Sequence, residues 1–372
     1  MTKRLILTSA LCLFTMLQTT FAQFQLENAG FEEWESNTLP KGWNTYETVT
    51  GDLANTAKSS NQCKQGVGHS GNFSMVAVSR EINAFITKVI ANGIVTSGVI
   101  NAGSVTATNS NNNNQTVAGD DAKSMSFKGR PDSVVAWIKA VPKSSSHFGR
   151  FYVILHDNCN FQDPGGDWSN VYAVAGVNPP ESSGWVRYSC PFFYAEQTHD
   201  VVSQKDEETE FYHTPKRKIS GNDRPSYVLA TISTNYKAAV GSAGDELYCD
   251  DIEMIYNSKL KSLTFNGEAV HGFNKDIYSY EVVGAYSENA LKCESDGRYA
   301  SVERLYDATT KVLTITVKGD NYSVDNTNKH VYTVAFGCPS LLNEFKVSGA
   351  TLADFSSDKL EYTIDKKYEE VK

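Results

Sequence analysis

This chain has no apolar run long enough to cross a bilayer. The longest, Leu5 to Leu17, falls short of the ~20 residues a spanning helix needs, and no second one follows, so no transmembrane segment is expected. Cationic charge is also scarce, with 34 Lys and Arg against 43 Asp and Glu and a net charge of −9. A nucleic-acid partner needs a cationic footprint and is therefore not expected, whereas a neutral glycan remains compatible. Cysteine is sparse at seven residues with no C-x-x-C pair, which argues against the usual zinc frameworks. It also argues against a disulfide scaffold, since a chain of this length can build a core without staples. No H-E-x-x-H or G-x-S-x-G string occurs, and no segment keeps a helical period over the length a helix needs. The sequence thus displays neither catalytic machinery nor the signature of an organic cofactor.

The first feature that is present is a leader. Residues 1–22 carry Lys3 and Arg4, the apolar run, and then Thr20-Phe21-Ala22 with small residues at the first and third places, the pattern of a secretory signal peptide. Cys12 follows Leu11 rather than the small residue expected before a lipidated cysteine, so the leader does not read as a lipid anchor. The expected product is exported, whether periplasmic, outer-membrane-associated or extracellular. Six cysteines (Cys63, Cys159, Cys190, Cys249, Cys293 and Cys338) survive removal of the leader into a compartment that permits disulfides, and no pairing among them follows from their spacing.

The remainder reads as all-β. In SVVAWIKAV, residues 133–141, Val134, Ala136, Ile138 and Ala140 share one wholly apolar face, and Val135, Trp137, Lys139 and Val141 share the other. Tyr227 to Thr234 and Glu246 to Tyr256 read as strands separated by a Gly/Ala/Ser-rich loop. The second carries the pair Asp250-Asp251, a local conflict because strands disfavour Asp. Asn109 to Gln115, NSNNNNQ, reads as a solvated loop, and Ala195 to Asp223, with KDEETE and PKRK, as a solvated excursion. After Asn257 the register changes. LKSLTFNGEAVHGFNKDIYSYEVV from Leu260 and LNEFKVSGATLADFSSDKLEYTID from Leu342 align without a gap, matching Leu263 to Phe345, Gly267 to Gly349, Phe273 to Phe355 and Tyr280 to Tyr362. A repeat of that length is a small sandwich rather than a solenoid unit, and the chain is expected to stop inside its second copy.

Several strings invite chemistry. Gly66, Gly68 and Gly71 fit G-x-G-x-x-G, but a dinucleotide site needs a helix to follow and here a strand does, so the string reads as a loop. The seven histidines are scattered, and only His156-Asp157, ending a strand, is placed to form a hydrogen-bonded pair. The acidic cluster Asp206 to Glu210 is crowded in a loop, whereas a working carboxylate pair must flank a scissile bond on rigid elements. Aromatics carry more. Sugars present apolar C–H faces and many hydroxyls, so their sites combine ring platforms with polar groups. Trp137, Lys139, Arg130, Trp168, Trp185 and Arg187 supply that combination, against the alternative that individual tryptophans belong to the core.

Asn28-Ala-Gly-Phe31-Glu32 followed by Pro40-Lys-Gly42-Trp43 is similar to the opening of carbohydrate-binding jelly rolls, and LYCDDIEMIY is similar to their closing strand. With HSG at 69–71, RP and WIK within 130–139, and RPSYV…GSAGDELYCDDIEMIY, residues 24–256 resemble the carbohydrate metabolism domain of Gram-negative envelope glycan-utilisation systems. That family tends to carry K-Y where Ala140 follows Lys139 here. The pattern Leu260, Leu263, Gly267, Phe273 and Tyr280 resembles cadherin-like, immunoglobulin-like β-sandwich modules, which act as spacers or adhesion surfaces. The resemblance implies a jelly-roll domain over 23–257, an immunoglobulin-like sandwich over 258–338 and a partial second repeat over 339–372, with a glycan ligand. It also suggests that Glu32 and one of Asp250 or Asp251 hold a structural Ca²⁺ where the first and last strands meet, since clustered carboxylates repel unless a cation or hydrogen bonds satisfy them. Donation from loop backbone to the Asp pair is the alternative. The function expected is a non-catalytic glycan-binding protein. Its rivals are a glycoside hydrolase or lyase with a carboxylate pair assembled by the fold, and a structural adhesin with cell-surface protein partners.

Overall fold

The computed structural model describes residues 23–84, 87–196, 215–337, 346–347 and 350–351. The leader, the acidic cluster 206–210, Cys338 and nearly all of the second repeat lie outside the described residues. Among the described residues the fold is all-β, with helix confined to the single turn Ala54–Ala57 and the 3₁₀ turn Trp168–Asn170, and none of it is long and apolar enough to cross a membrane. The chain divides into two compact units. The first is residues 1–257 together with the short segments 297–299 and 319–328, and the second is the rest.

The first unit is an antiparallel sandwich whose strands pair in a nested order. Innermost, Arg150–His156 pairs with Val171–Val177; next, Ser133–Val141 pairs with Val186–Pro191; then Ile94–Thr96 with Tyr227–Ser233; outermost, Phe73–Val78 with Glu246–Ile255. This nesting is the jelly-roll topology. One sheet runs Val186–Pro191, Ser133–Val141, Glu246–Ile255, Phe73–Val78, Cys63–Val67. The other is centred on Arg150–His156 between Val171–Val177 and Tyr227–Ser233. The alternation read in residues 133–141 is realised, since Val134, Ala136, Ile138 and Ala140 are all in the inter-sheet core with Phe151, Val153, Leu155, Ala230, Ile232 and Leu247. A third, small sheet of Val99–Ala102, Asn112–Thr116 and Phe161–Asp163 accompanies a second core of Tyr152, Ile154, Phe161, Val171, Val174 and Leu229.

The solvated-loop reading of 109–115 is corrected here, because Asn112–Thr116 is a strand with Asn113 and Asn114 buried. Amides suit this position where apolar residues would not. The Asn112 Oδ1 accepts from the Gly103 and Ser104 N–H groups at 3.0 Å, and its Nδ2 donates to the Ser104 and Thr106 carbonyls at 2.9 Å. The side chain thereby satisfies the backbone of the preceding turn.

The second unit sets the three-stranded sheet of Leu260–Phe265, Glu268–Ala269 and Leu291–Ser295 with the four-stranded sheet Ser279–Val283, Lys329–Gly337, Val312–Lys318, Ser301–Asp307. Ser279–Val283 joins Lys329–Gly337 in parallel. Its core gathers Leu260, Leu263, Tyr280, Leu313, Ile315, Val317, Tyr332 and Val334, and Gly267 takes φ +90 in the turn, as the repeat pattern requires. Of the second repeat, only the short antiparallel pair Lys346–Val347 and Ala350–Thr351 is described.

Burial of this kind predicts a sharp contrast between the two faces of the Trp137 strand. Ile138→Ala should cost about 2–5 kcal/mol by leaving a cavity between the sheets. Val141→Ala, at a residue 40% exposed, should stay within about 0.5 kcal/mol. Equilibrium denaturant unfolding of both variants measures the difference, and equal losses would place Ile138 outside the core.

Candidate functional site

The conflict of two aspartates inside a strand is resolved by a bulge. Against Ser133–Val141, the closing strand is in register at Val135↔Glu253 and again at Trp137↔Asp250, so it spends an extra residue between them. Asp251 there adopts φ +46. The bulge turns both carboxylates onto the loop 69–73. Asp250 Oδ2 accepts from the His69 and Ser70 N–H groups at 2.7 and 3.4 Å, and its Oδ1 accepts from the Asp251 N–H at 2.8 Å. Asp251 meets His69 Nδ1 at 2.7 Å and the Ser70 hydroxyl at 2.8 Å. Glu32 accepts from the Asn72 and Phe73 N–H groups at 2.9 and 3.1 Å. Gly71 is required here, because it takes φ +60 and a Cβ would stand 2.1 Å from the Glu32 carboxylate. The Gly66-to-Gly71 string is accordingly a strand-to-strand loop.

Each of the three carboxylates predicted to hold Ca²⁺ therefore meets hydrogen-bond donors, the arrangement that competes with a cation. The described residues contain no cluster of three or more His, Cys, Asp or Glu side chains placed to hold a metal. Asp250 is fully buried, and desolvation pushes its pKa up to about 6 despite the backbone donors that pull it down. A folded-state pKa raised from 3.8 means the native state holds this proton more tightly than the unfolded chain. Its contribution to stability should therefore be complete below about pH 4 and be lost as pH rises through about 6, and Asp250→Asn should flatten that slope. Chemical unfolding from pH 4 to 7 reads it. A rise in stability over the same window, or a lower Tm in chelator, would instead identify a cation among the carboxylates.

Above this bulge lies the face that the tryptophans were expected to form. Trp137 stands opposite Arg187 on one neighbouring strand, and Lys139 stands opposite Tyr248 on the other. All are on the outer side of the sheet, away from the inter-sheet core, and Trp137, Lys139 and Trp185 are half-buried. The His69 ring stacks on Trp137 at 3.8 Å between centroids, and Trp185 sets its edge to His69 at 5.9 Å and to Tyr248 at 6.1 Å. Lys139 Nζ sits 3.7 Å over the Tyr248 ring. The Tyr248 hydroxyl donates to Glu246, which also pairs with Lys64 at 2.5 Å. Burial, together with that hydrogen bond, pushes the Tyr248 pKa up to about 12. A groove of about 520 Å³ adjoins the cluster, lined by Lys64, Gln65, Phe73, Lys139 and Tyr248 among others.

Four of the six residues expected to contact glycan, Trp137, Lys139, Trp185 and Arg187, thus belong to one face, and two do not. The Arg130 guanidinium is held by Asp320 at 3.0 Å from Nε and 2.5 Å from Nη2 and lies over the Tyr299 ring at 4.5 Å. Asp320 also takes Arg224 at 2.7 and 2.9 Å. Trp168 packs edge-on to Phe161 at 5.7 Å, beside the second core. His69 and Tyr248 were missed, although Tyr248 lies two residues from Asp250 and so shares its side of the closing strand. His156 and Asp157 do form a hydrogen-bonded pair, through the Asp157 backbone carbonyl rather than its carboxylate. His156 is buried with Nε2 2.9 Å from the Thr116 hydroxyl and Nδ1 2.9 Å from the Asp157 carbonyl oxygen, and burial lowers its pKa to about 4. The Asp157 carboxylate pairs with Arg217 instead. All five described cysteines are free thiols.

The other sheet carries a feature the sequence did not announce. On its outer side the asparagine strand, with Thr231 and Ser233, lines a cleft of about 430 Å³. Four asparagines in its wall, Asn92, Asn113, Asn114 and Asn235, have amide oxygens shielded from solvent and without a hydrogen-bond partner. An unmet buried acceptor costs about 1–3 kcal/mol, so four of them in one wall form an unusual concentration. No model of a known protein family matches this chain, and no curated protein does either.

Proposed function

We propose that this chain is an exported, non-catalytic glycan-binding protein. The observation that carries the reading is the convergence of Trp137, Trp185 and Tyr248 with Lys139 and Arg187 on one outer sheet face beside a groove. Half-buried rings offer apolar edges and faces to sugar C–H groups, while the ammonium and guanidinium groups reach hydroxyls. A shallow groove on a sheet suits a stretch of chain rather than an enclosed small molecule. The resemblance of the first domain to glycan-utilisation proteins points the same way, with the immunoglobulin-like unit serving as a spacer.

The reading predicts affinities on the order of −4 to −7 kcal/mol, millimolar to micromolar. Trp137→Ala and Trp185→Ala should each weaken binding by tenfold or more, about 1.4 kcal/mol, with Tm nearly unchanged. Glycan arrays followed by titration of the purified chain measure this, and chromogenic glycosides should release no product. Release of product would favour a hydrolase. Absence of any retained sugar would favour an adhesin.

A further inference from the structure

We infer that the Trp137 face selects anionic glycans, chains that carry carboxylate or sulfate groups, and that Lys139 and Arg187 are the residues that read the charge. The inference rests on the glycan reading proposed above and names the ligand class of that same face.

The carboxylates around the rings are already engaged. Glu246 accepts from the Tyr248 hydroxyl at 2.8 Å and pairs with Lys64 at 2.5 Å. Asp251 meets His69 Nδ1 and the Ser70 hydroxyl at 2.7 and 2.8 Å, and Asp250 is fully buried beneath three backbone N–H groups. Glu253, on the same side of the closing strand, stands opposite Val135, beyond the bulge. The cations are placed differently. Among the described residues neither Lys139 nor Arg187 forms an ion pair or a hydrogen bond with a carboxylate.

Rings hold Lys139 instead. Its ammonium lies 3.7 Å over the Tyr248 ring and 5.5 Å over that of Trp185, contacts that fix a cation in place without neutralising it. Arg187 is exposed and stands opposite Trp137 in register, which makes it the diagonal neighbour of Lys139, about 7–8 Å away across the strand pair. The adjoining groove continues the pattern, since its lining contains Lys64 and Lys139 and no aspartate or glutamate, with exposed apolar surface from Val67 and Phe73. A sugar hydroxyl can accept from such groups but leaves their charge unmatched. A carboxylate or sulfate accepts and neutralises it, and a guanidinium can engage two oxygens of the anion at once. The net charge of −9 does not decide against this, because physiological salt screens charges beyond about 8 Å, and within that distance of a ligand on the rings stand the two unpaired cations.

The test titrates the whole purified chain with matched oligosaccharides of one backbone: galacturonan against its methyl ester, and a sulfated galactan against its desulfated form. In at least one pair the anionic member should bind tenfold or more tighter, and the margin should shrink as salt rises from about 0.05 to about 0.5 M. The pair that responds distinguishes carboxylate from sulfate. Lys139→Gln and Arg187→Gln should each cut the margin at least threefold with Tm nearly unchanged, and Lys139→Arg should keep it. Lys58→Gln, at an exposed lysine outside the groove, should leave it within twofold, and Trp137→Ala should weaken both members alike. A neutral member that binds as tightly as its anionic twin, or neutral array glycans retained while both acidic chains are not, would overturn the charge selection. If that binding still requires Trp137, the glycan reading stands without it. An anionic preference indifferent to both the Lys139 and Arg187 variants would overturn their assignment. Retention of no sugar of either charge would remove the glycan reading itself and the inference with it.

Discussion

The closing strand Glu246–Ile255 is the constraint on which the first unit depends. It is the last of the jelly-roll strands in the sequence and sits in the middle of its sheet, pairing on one side with Ser133–Val141 and on the other with Phe73–Val78. Its inward residues Leu247, Cys249, Ile252 and Met254 enter the inter-sheet core, so neither flanking strand has a complete partner until it is in place. Its bulge then organises the loop 69–73 through Asp250 and Asp251. That loop brings His69 to Trp137. The aromatic face is therefore a product of sheet register: slipping the closing strand by one residue would send Tyr248 and Asp250 into the core and Leu247 and Cys249 to solvent.

The same hydrogen bonds explain why buried carboxylates are tolerated at the bulge. A desolvated aspartate is unfavourable unless donors surround it, and three backbone N–H groups converge on Asp250. The raised pKa of that group is the residue of this conflict, with burial outweighing the donors. Asp320 shows the other solution, since it is nearly as buried but is neutralised by two guanidinium groups, Arg130 and Arg224. A buried pair of this sort is weak evidence for net stability, yet removing one partner leaves an uncompensated charge. That asymmetry fits Arg130 as a fixture of the fold rather than a free ligand group.

How far the sequence could be read follows from which interactions are local. The alternation in residues 133–141 has a period of two and assigns faces directly, so the inward set Val134, Ala136, Ile138 and Ala140 was legible. So was the oddity of Asp250-Asp251, because the conflict with strand propensity is local even though its resolution is not. Arg130 was misplaced because its partner lies 190 residues away, and no spacing rule connects a turn arginine to an aspartate at that distance. The asparagine strand was hidden for a different reason. A run of amides has the composition of a solvated loop, and only the tertiary fold decides whether those amides meet water or the backbone of Ser104, Thr106 and Ser110.

That ambiguity bears on why such a wall exists. A core strand made of Val or Ile would close the outer side of the second sheet more stably, as it does where Ile154 and Leu229 pack with Phe161. Beyond that packed patch the same sheet presents Thr231 and Ser233, and the strand lying over it presents asparagines in place of hydrophobes. Oxygens left unmatched by the protein lower its stability by about 1–3 kcal/mol each. The two outer surfaces of the sandwich are thus built on different physics. One presents rings and cations whose own mutual contacts hold them half-buried. The other lines a cleft with amide side chains that donate to the backbone of their own turns.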